Sequence, residues 1–413
     1  MTQNSNSTTG NRITVIDALR GFALLGVILV HFQQRYSNFS MGPFNEHTPI
    51  LSQFDSSIQW LTNNVLMGRF INIFAFLFGM SFFIQMDRAA KKGIDFRGRF
   101  LWRMVILFVI GIVGSAFYSG DILSLYAIYG VVLLLLNPCK NWILTCLAAL
   151  ILLGTPKLTT YAYDKITAPA PTEQVSEAPQ FPRMPERRER PVPEKPSIIK
   201  SFKNNLTSGT MVKINYQYRM TNRGYITLAI FILGLIVGRL RFFETAHLHR
   251  SRNMALFALF IAGTMIAGWI AKAIAPEPVP GMWFAPPSVT SIMTTAMNDI
   301  KMVFSSAALL MAFVILYNIP AIGKCLNALA PYGRMGLTNY VSQSIIGACL
   351  FAMWGLGATF GAWGATELML LGLAIYIVQI IVSTVWLRYF KYGPLEWLWR
   401  SATYLKWQPF INR

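Results

Sequence analysis

The sequence predicts an all-α, polytopic membrane protein with about ten transmembrane helices and both termini in the cytoplasm. Three observations carry this reading. Of 413 residues, 54% are hydrophobic and only 13% are charged, against roughly a quarter charged in soluble domains. The apolar residues come in runs of about 20, enough to cross the ~30 Å hydrocarbon layer as a helix and too continuous for barrel strands. The Lys and Arg residues behind the net charge of +19 gather in short segments between those runs, as the positive-inside rule requires. The charge is therefore topological, and a nucleic-acid partner is excluded.

The runs place spanning segments at about 14–34, 62–86, 101–118, 121–137, 141–160, 222–240, 253–275, 291–317, 336–355 and 366–387. Loop charges orient them. Arg88, Lys91, Lys92, Arg97, Arg99 and Arg103 follow the second segment, and Arg239, Arg241, Arg250 and Arg252 follow the sixth. Lys324 and Arg334 follow the eighth; Arg388, Lys391, Arg400, Lys406 and Arg413 follow the tenth. Alternating helices put all of these on one side, and the loops at 276–290 and 356–365, which lack Lys and Arg, on the other. The polar N-terminus runs into the first segment without a small-residue cleavage site, so no cleaved signal peptide is expected.

The organisation expected is an N-terminal transmembrane half at 1–160, an insert at 161–221 and a C-terminal transmembrane half at 222–413 with an amphipathic cytoplasmic tail. The insert is Pro-rich and basic (PRMPERRERPVPEKP), and ten crossings put it outside. Loops of about 60 residues escape the positive-inside bias; the alternative is that 141–160 does not cross. Residues 168–196 should be extended or disordered, since Pro removes donors and fixes φ. Residues 197–219 suit an amphipathic helix on the outer leaflet. GPLEWLWR, after the last span, reads as an interfacial anchor with Trp397 and Trp399 at the headgroups and Arg400 on phosphate.

Polar groups at hydrocarbon depth cost a few kcal/mol each and point to function. In VIDALRGFALLGVILVHF, Asp17 and Arg20 are three apart and able to pair. His31 follows Arg20 by eleven residues, about three turns higher on the same face. Gly21 and Gly26 admit a close neighbour or a ligand. The bland reading is an interfacial ion pair and a histidine at the helix end. Further candidates are Arg69 and Asn72 in the second segment, Asp121 and Tyr126 in the fourth, Asn298, Asp299 and Lys301 in the eighth, and Asn339 and Gln343, four apart, in the ninth. Such amides more often join helices than bind substrate. Cys139, Cys146, Cys325 and Cys349 lie in or beside apolar runs without metal-ligand spacing, so neither a disulfide framework nor a metal site is expected.

DALRGFALLGVILVHF resembles the opening of the YeiB-like family of bacterial membrane proteins, which has no firmly assigned activity. GRFINIFAFLFGMSF (68–82), DILSLYAIYG (121–130), GRMGLTNYVSQS (333–344) and FKYGPLEWLWRSATY (390–404) resemble the same family. The family in turn is distantly similar to transmembrane acyltransferases, among them heparan-α-glucosaminide N-acetyltransferase and the enzymes that O-acetylate bacterial surface polysaccharides. The resemblance implies acyl-CoA, for example acetyl-CoA, as cytoplasmic co-substrate, and a glycan or lipid-linked acceptor on the far side of the inner membrane. In the polysaccharide enzymes an Arg-Gly pair precedes a functional histidine by the spacing seen between Arg20 and His31. YeiB-like proteins and the heparan enzyme more usually carry Asn at that position. His31 is thus a candidate base or a helix-end substitution, and His47 the alternative on the outer side.

A histidine suits the chemistry, because moving an acyl group to a hydroxyl or amine needs a base near neutral pKa and donors for the oxyanion. Arg20 would then hold a phosphate or the pantetheine carbonyl. Two other classes remain open: an exporter of a small metabolite or lipid that uses the polar stripe as a path, and a non-catalytic membrane protein. A cytoplasm-facing cavity ending at a histidine favours the enzyme, whereas polar groups paired at mid-membrane favour transport.

Overall fold

The computed structural model describes residues 14–37, 45–167, 197–277 and 286–412. The proline-rich stretch 168–196 and the middle of the 276–290 loop lie outside the described residues. Among the described residues the chain is all helix apart from turns and one isolated bridge, Phe390 to Ile411.

The helices run alternately between two ends of the molecule, called basal where the first one starts and distal where it finishes. α1 (Thr14–Gln33) runs distally; α2 (Asp55–Leu61) leads through a wide turn into α3 (Arg69–Ala90), which returns. α4 (Arg97–Phe117) runs distally and α5 (Leu123–Leu136) back; α6 (Asn141–Leu152) and α7 (Thr155–Thr167) run distally again, bent by 57°. Beyond the insert, α8 (Ile198–Leu206), α9 (Ser208–Ile214) and a helical turn to Met220 meet α10 (Arg223–Arg239) at 76°. The short α11 (Phe242–Thr245) precedes the α12 (Arg250–Ala273) and α13 (Val289–Tyr317) hairpin. α14 (Pro320–Asn327) and α15 (Ala330–Arg334) are basal connectors to α16 (Gly336–Phe351). α17 (Gly357–Phe360), α18 (Ala365–Tyr389) and the basal α19 (Pro394–Tyr404) complete the chain.

Among the described residues six helices are long and apolar enough to cross a bilayer, and eight if each bent pair is one span. α5 and α16, 14 and 16 residues long, fall short of that length. The outer faces are apolar. Met265 and Trp269 of α12 and Ile377, Val378 and Ile381 of α18 are all about half exposed or more. So wide an apolar surface suits lipid rather than water. The protein is a multi-pass membrane protein.

Two glycine contacts set the inner packing. Gly79 of α3 meets the Phe231 backbone and Gly234 of α10 meets the Phe76 backbone, so a Cβ at either position would push the two helices apart. Gly26 of α1 faces the ring of Phe70, and Gly21 the backbone of Leu329, so the neighbours expected at these glycines are protein groups. Around them Phe32, Phe82, Phe100, Tyr126, Phe231 and Tyr340 form a buried aromatic core.

The segment at 197–219 is helical, and α8 packs on α4: Phe202 meets Phe117 edge-on at 4.7 Å and Asn205 Nδ2 donates to the Ala116 carbonyl. The tail helix α19 also departs from the surface anchor expected. Trp399 turns inward against Arg103, while Trp397 stacks on Trp407 at 5.0 Å and Arg400 lies over Tyr392 and Tyr404. Local amphipathicity gave the helix but not the side it buries.

Candidate functional site

Two cavities lie back to back along α1. The basal one, about 230 Å³, is bounded by α1, α3, α4, α5, α15, α16 and α19. Arg20, Arg103 and Arg334 line it, its walls are the rings of Phe74, Phe78, Phe82 and Phe100, and Tyr126 and Tyr340 stand at its inner end. The distal one, about 660 Å³, is lined by His31, Asn72, Tyr118, Lys213 and Arg223, and again by Tyr126. Tyr126 is thus the wall between them. Its ring stacks on Phe74 at 6.0 Å, and Phe74 stacks on Tyr340 at 6.2 Å.

The basal cavity is cationic at one end and aromatic at the other. Arg20 Nη1 donates to Asp17 Oδ1 at 2.8 Å and Nη2 to Ser81 Oγ at 2.6 Å. Three residues of separation place Asp17 and Arg20 on one helical face, as the sequence indicates. Arg103 lies over the Trp399 ring, 3.6 Å from its centroid, with its buried Nε unbonded among the described residues. Glu396 of α19 accepts from the backbone N–H groups of Leu337 and Thr338 at 2.7 and 3.0 Å, and from the Thr338 hydroxyl. It caps the start of α16, whose first N–H groups have no partner within the helix. Burial pushes its carboxyl above the usual carboxylate range, outweighing those hydrogen bonds.

On the distal side, the His31 ring sits 5.2 Å from Tyr36 and 5.0 Å from Tyr118. It makes no hydrogen bond among the described residues and faces open cavity. Asn72 Nδ2 donates to Ser306 Oγ at 3.1 Å. Lys213 reaches from the insert helix to Ser115 Oγ, the Asp121 carbonyl and Ser124 Oγ at 3.1–3.5 Å. Asp121 is fully buried; its Oδ1 accepts from Leu123 N at 2.8 Å, and its backbone N–H bonds the Tyr118 carbonyl. The hydroxyl of Tyr340 accepts from Ile122 N at 3.4 Å. The 118–122 turn is therefore held from the basal side by Tyr340 and from the distal side by Lys213.

The sequence candidates divide accordingly. Arg20 opens on the basal cavity, His31 and Asn72 on the distal one, and Tyr126 on both; Asp17 and Asp121 stand just behind. The single stripe of Asp17, Arg20 and His31 is split between two chambers, because Tyr126 and Phe74 from other helices come between. Arg69 lines neither: its Nε donates to Ser305 Oγ and its Nη1 to the Met67 carbonyl, both at 3.1 Å. Asn339 donates to the Tyr332 carbonyl and to Ser383 Oγ, and Gln343 to the Tyr332 hydroxyl and Gln379. These two amides join α15, α16 and α18 and line neither of these two cavities. His47 is bonded to Glu367 at 2.9 Å and stacked on Trp363, while Glu367 also accepts from Ile50 N and Gly364 N. It pins the loop to the start of α18, away from both cavities.

Sequence reasoning missed Trp399, Tyr340, Glu396, Tyr118, Lys213 and Arg223, and counted Arg103 and Arg334 as topological charges only. Glu396 had a signal: a lone carboxylate in an otherwise basic, aromatic tail. Among the described residues no cluster of three or more His, Cys, Asp or Glu is arranged to hold a metal ion.

Fold and cavities define a class: a multi-pass helical membrane protein with two opposed chambers divided by an aromatic wall. Residues 12–169 match the catalytic-domain model of heparan-alpha-glucosaminide N-acetyltransferase, and residues 237–406 match that of a protein family of unknown function, DUF418. Uncharacterised protein YxaH of Bacillus subtilis (strain 168) is 28% identical over 98% of this chain and 97% of its own length. An uncharacterised 39.9 kDa protein from the amylase 3′ region of Bacillus acidopullulyticus is 27% identical over 97% and 96%. Uncharacterised protein YeiB of Escherichia coli (strain K12) is 40% identical over 90 residues, 22% of this chain and 23% of that one. The C-terminal part of the chain is thus similar to the family of unknown function DUF418, and its N-terminal part to the heparan-type catalytic domain. The basal cavity draws on both matched regions: Arg20, Arg103 and Tyr126 from the first, Arg334, Tyr340, Glu396 and Trp399 from the second.

Proposed function

We propose that the protein is a bacterial inner-membrane acyltransferase that takes an acyl group from cytoplasmic acyl-CoA and delivers it to a glycan or lipid-linked acceptor on the outer side. The observation that carries this is the pair of back-to-back cavities sharing Tyr126, one rich in arginine and one containing His31. Positive-inside bias makes the basal end cytoplasmic, since Arg88, Arg97, Arg99, Arg241, Arg250 and Arg252 gather there. Ten crossings with both termini inside follow if the two bent pairs and the short α5 and α16 also cross. The two transmembrane halves then flank an outer insert at 161–221.

Arg20, Arg103 and Arg334 suit the phosphates of CoA, and the phenylalanine walls suit the pantetheine arm. At about 230 Å³ the basal cavity is smaller than sites that enclose a drug-sized ligand, so the nucleotide stays at the mouth. His31 takes the proton of the acceptor hydroxyl or amine, whose heteroatom attacks the thioester carbonyl carbon. The C–S bond breaks, and the leaving thiolate receives the proton from the imidazolium. Tyr126 stands between thioester and His31, so its ring must turn aside for transfer. Export along the same path fits less well, because the paired amides Asn339, Gln343 and Gln379 are spent in helix contacts and line neither cavity.

The test is acetyl-CoA consumption by purified protein given a crude envelope-glycan extract, with His31→Ala beside wild type. Activity in wild type and its loss in the variant support the assignment. No turnover with any acyl-CoA sinks it.

A further inference from the structure

The positive-inside rule explains the basal cations but leaves those of the distal end unaccounted for. Lys213 and Arg223 line the distal cavity; Arg69 is near Arg223, and Lys157 and Arg223 are both near Asp299. The carboxylates near them are Asp121, behind Lys213, and Asp299, which accepts from Asn222 Nδ2 at 2.9 Å. Four cations therefore face two carboxylates, and no Asp or Glu is among the residues lining the cavity. Cations held at membrane depth on this side are costly and need a compensating partner.

Asp299 lies within electrostatic reach of Arg223 but takes its hydrogen bond from Asn222, so the Arg223 donors are the ones best placed to meet a partner outside the protein. Its guanidinium packs beside Gly68, where φ is +79° and the missing Cβ leaves room for it. It makes no side-chain hydrogen bond among the described residues, and it lines the open chamber. Lys213 is held by Ser115, the Asp121 carbonyl and Ser124, and contributes charge more than free donors. Low-dielectric walls focus this field into the chamber. The same cavity is also lined by polar groups that suit a hydroxylated ligand: Asn72, Gln217, Thr227 and His31.

We infer that the distal cavity binds a phosphate-bearing ligand, with the phosphate on Arg223 in the field of Lys213 and the remainder reaching toward His31. Such a ligand is the acceptor if the acyltransferase reading holds, on which its role, though not its binding, rests. The same chamber disfavours a free ammonium acceptor, which would meet two cations and no lining carboxylate.

Binding to full-length protein in neutral detergent tests this without turnover. The probes are farnesyl phosphate and farnesol, equal in chain and different in charge, together with inorganic phosphate and phosphatidylglycerol micelles. Wild type is expected to bind farnesyl phosphate at least about 10-fold tighter than farnesol, the worth of one charge-assisted hydrogen bond. Arg223→Gln should abolish that preference, Arg223→Lys should restore part of it, and Arg388→Gln, at the far end of α18, should leave it intact. Equal binding of the two farnesyl probes, or a preference that survives Arg223→Gln in folded protein, overturns the inference. Competition by inorganic phosphate assigns the site to the phosphate group itself, and competition by phosphatidylglycerol alone assigns it to a lipid headgroup. Binding without acetyl-CoA turnover would leave the phosphate site standing and remove only its role as acceptor.

Discussion

The Arg103 guanidinium lies 3.6 Å above the centroid of the Trp399 ring, and Trp399 Nε1 donates back to the Arg103 carbonyl at 3.0 Å. This reciprocal contact clamps α19 on α4 and fixes a cation at the edge of the basal cavity. Stacked arginine–aromatic contacts are worth about 0.5–2 kcal/mol. Trp399→Ala should therefore lower thermal stability modestly and weaken CoA binding by several-fold to about 30-fold, with Trp399→Phe in between. Calorimetric titration with CoA measures it. Unchanged CoA affinity in a folded Trp399→Ala protein would remove Arg103 from the donor site.

Asp17 and Arg20 are bonded at 2.8 Å with side chains only 5% and 27% exposed. Removing one partner of a buried pair leaves an uncompensated charge, at about 3–5 kcal/mol when burial is complete. Arg20 is partly exposed, so a smaller loss is expected here. Asp17→Asn and Arg20→Gln should each lower the melting temperature, and the double variant should recover part of the loss. Purely additive losses in that cycle would mean the pair does not interact.

Glu396 gives a pH dependence with a definite sign. Its carboxyl is held above the ordinary range by burial in the folded state. The folded protein therefore binds the proton more tightly than the unfolded chain, so this stabilisation is complete below the unfolded value and is lost as pH rises through the folded one. Glu396→Gln retains an acceptor for Leu337 N and Thr338 N and cannot ionise. Its melting temperature relative to wild type should rise with pH from about 4 upward. A difference that stays constant across that range would show that Glu396 does not titrate on its own in the fold.

His31→Ala separates a base from a helix-end residue. General base catalysis contributes ~10²–10⁴-fold, so turnover should fall by that factor while CoA binding and melting temperature hardly move. His31 packs at a steep angle against the rings of Tyr36 and Tyr118 without bonding either, and His31→Phe should preserve that packing and still be inactive. Full activity in both variants would return the histidine to packing alone.

Topology is checked by reporter fusions. Fusions after Arg99 and Arg250 should read cytoplasmic and one at Gly361 extracytoplasmic. A cytoplasmic Gly361 would invert the assignment of the two cavities.

The sequence by itself determined the all-helical membrane class and the family resemblance, because both rest on local quantities: lengths of apolar runs and short stretches such as DALRGF. It also determined the Asp17–Arg20 pair, since three residues along a helix fix a shared face whatever surrounds it. Only the tertiary structure decided what His31 and Arg20 face. Tyr126 comes from α5 and Tyr340 from α16, and their rings divide a stripe that is continuous along α1 into two chambers. In the same way Glu367 removed His47 from the site, and α15 and α18 absorbed Asn339 and Gln343. Lys213 and Glu396 entered from segments that read as surface helices. Periodicity places a side chain on a face of its own helix; which helix lies opposite is set by long-range packing, here by close approaches at Gly79 and Gly234 between α3 and α10.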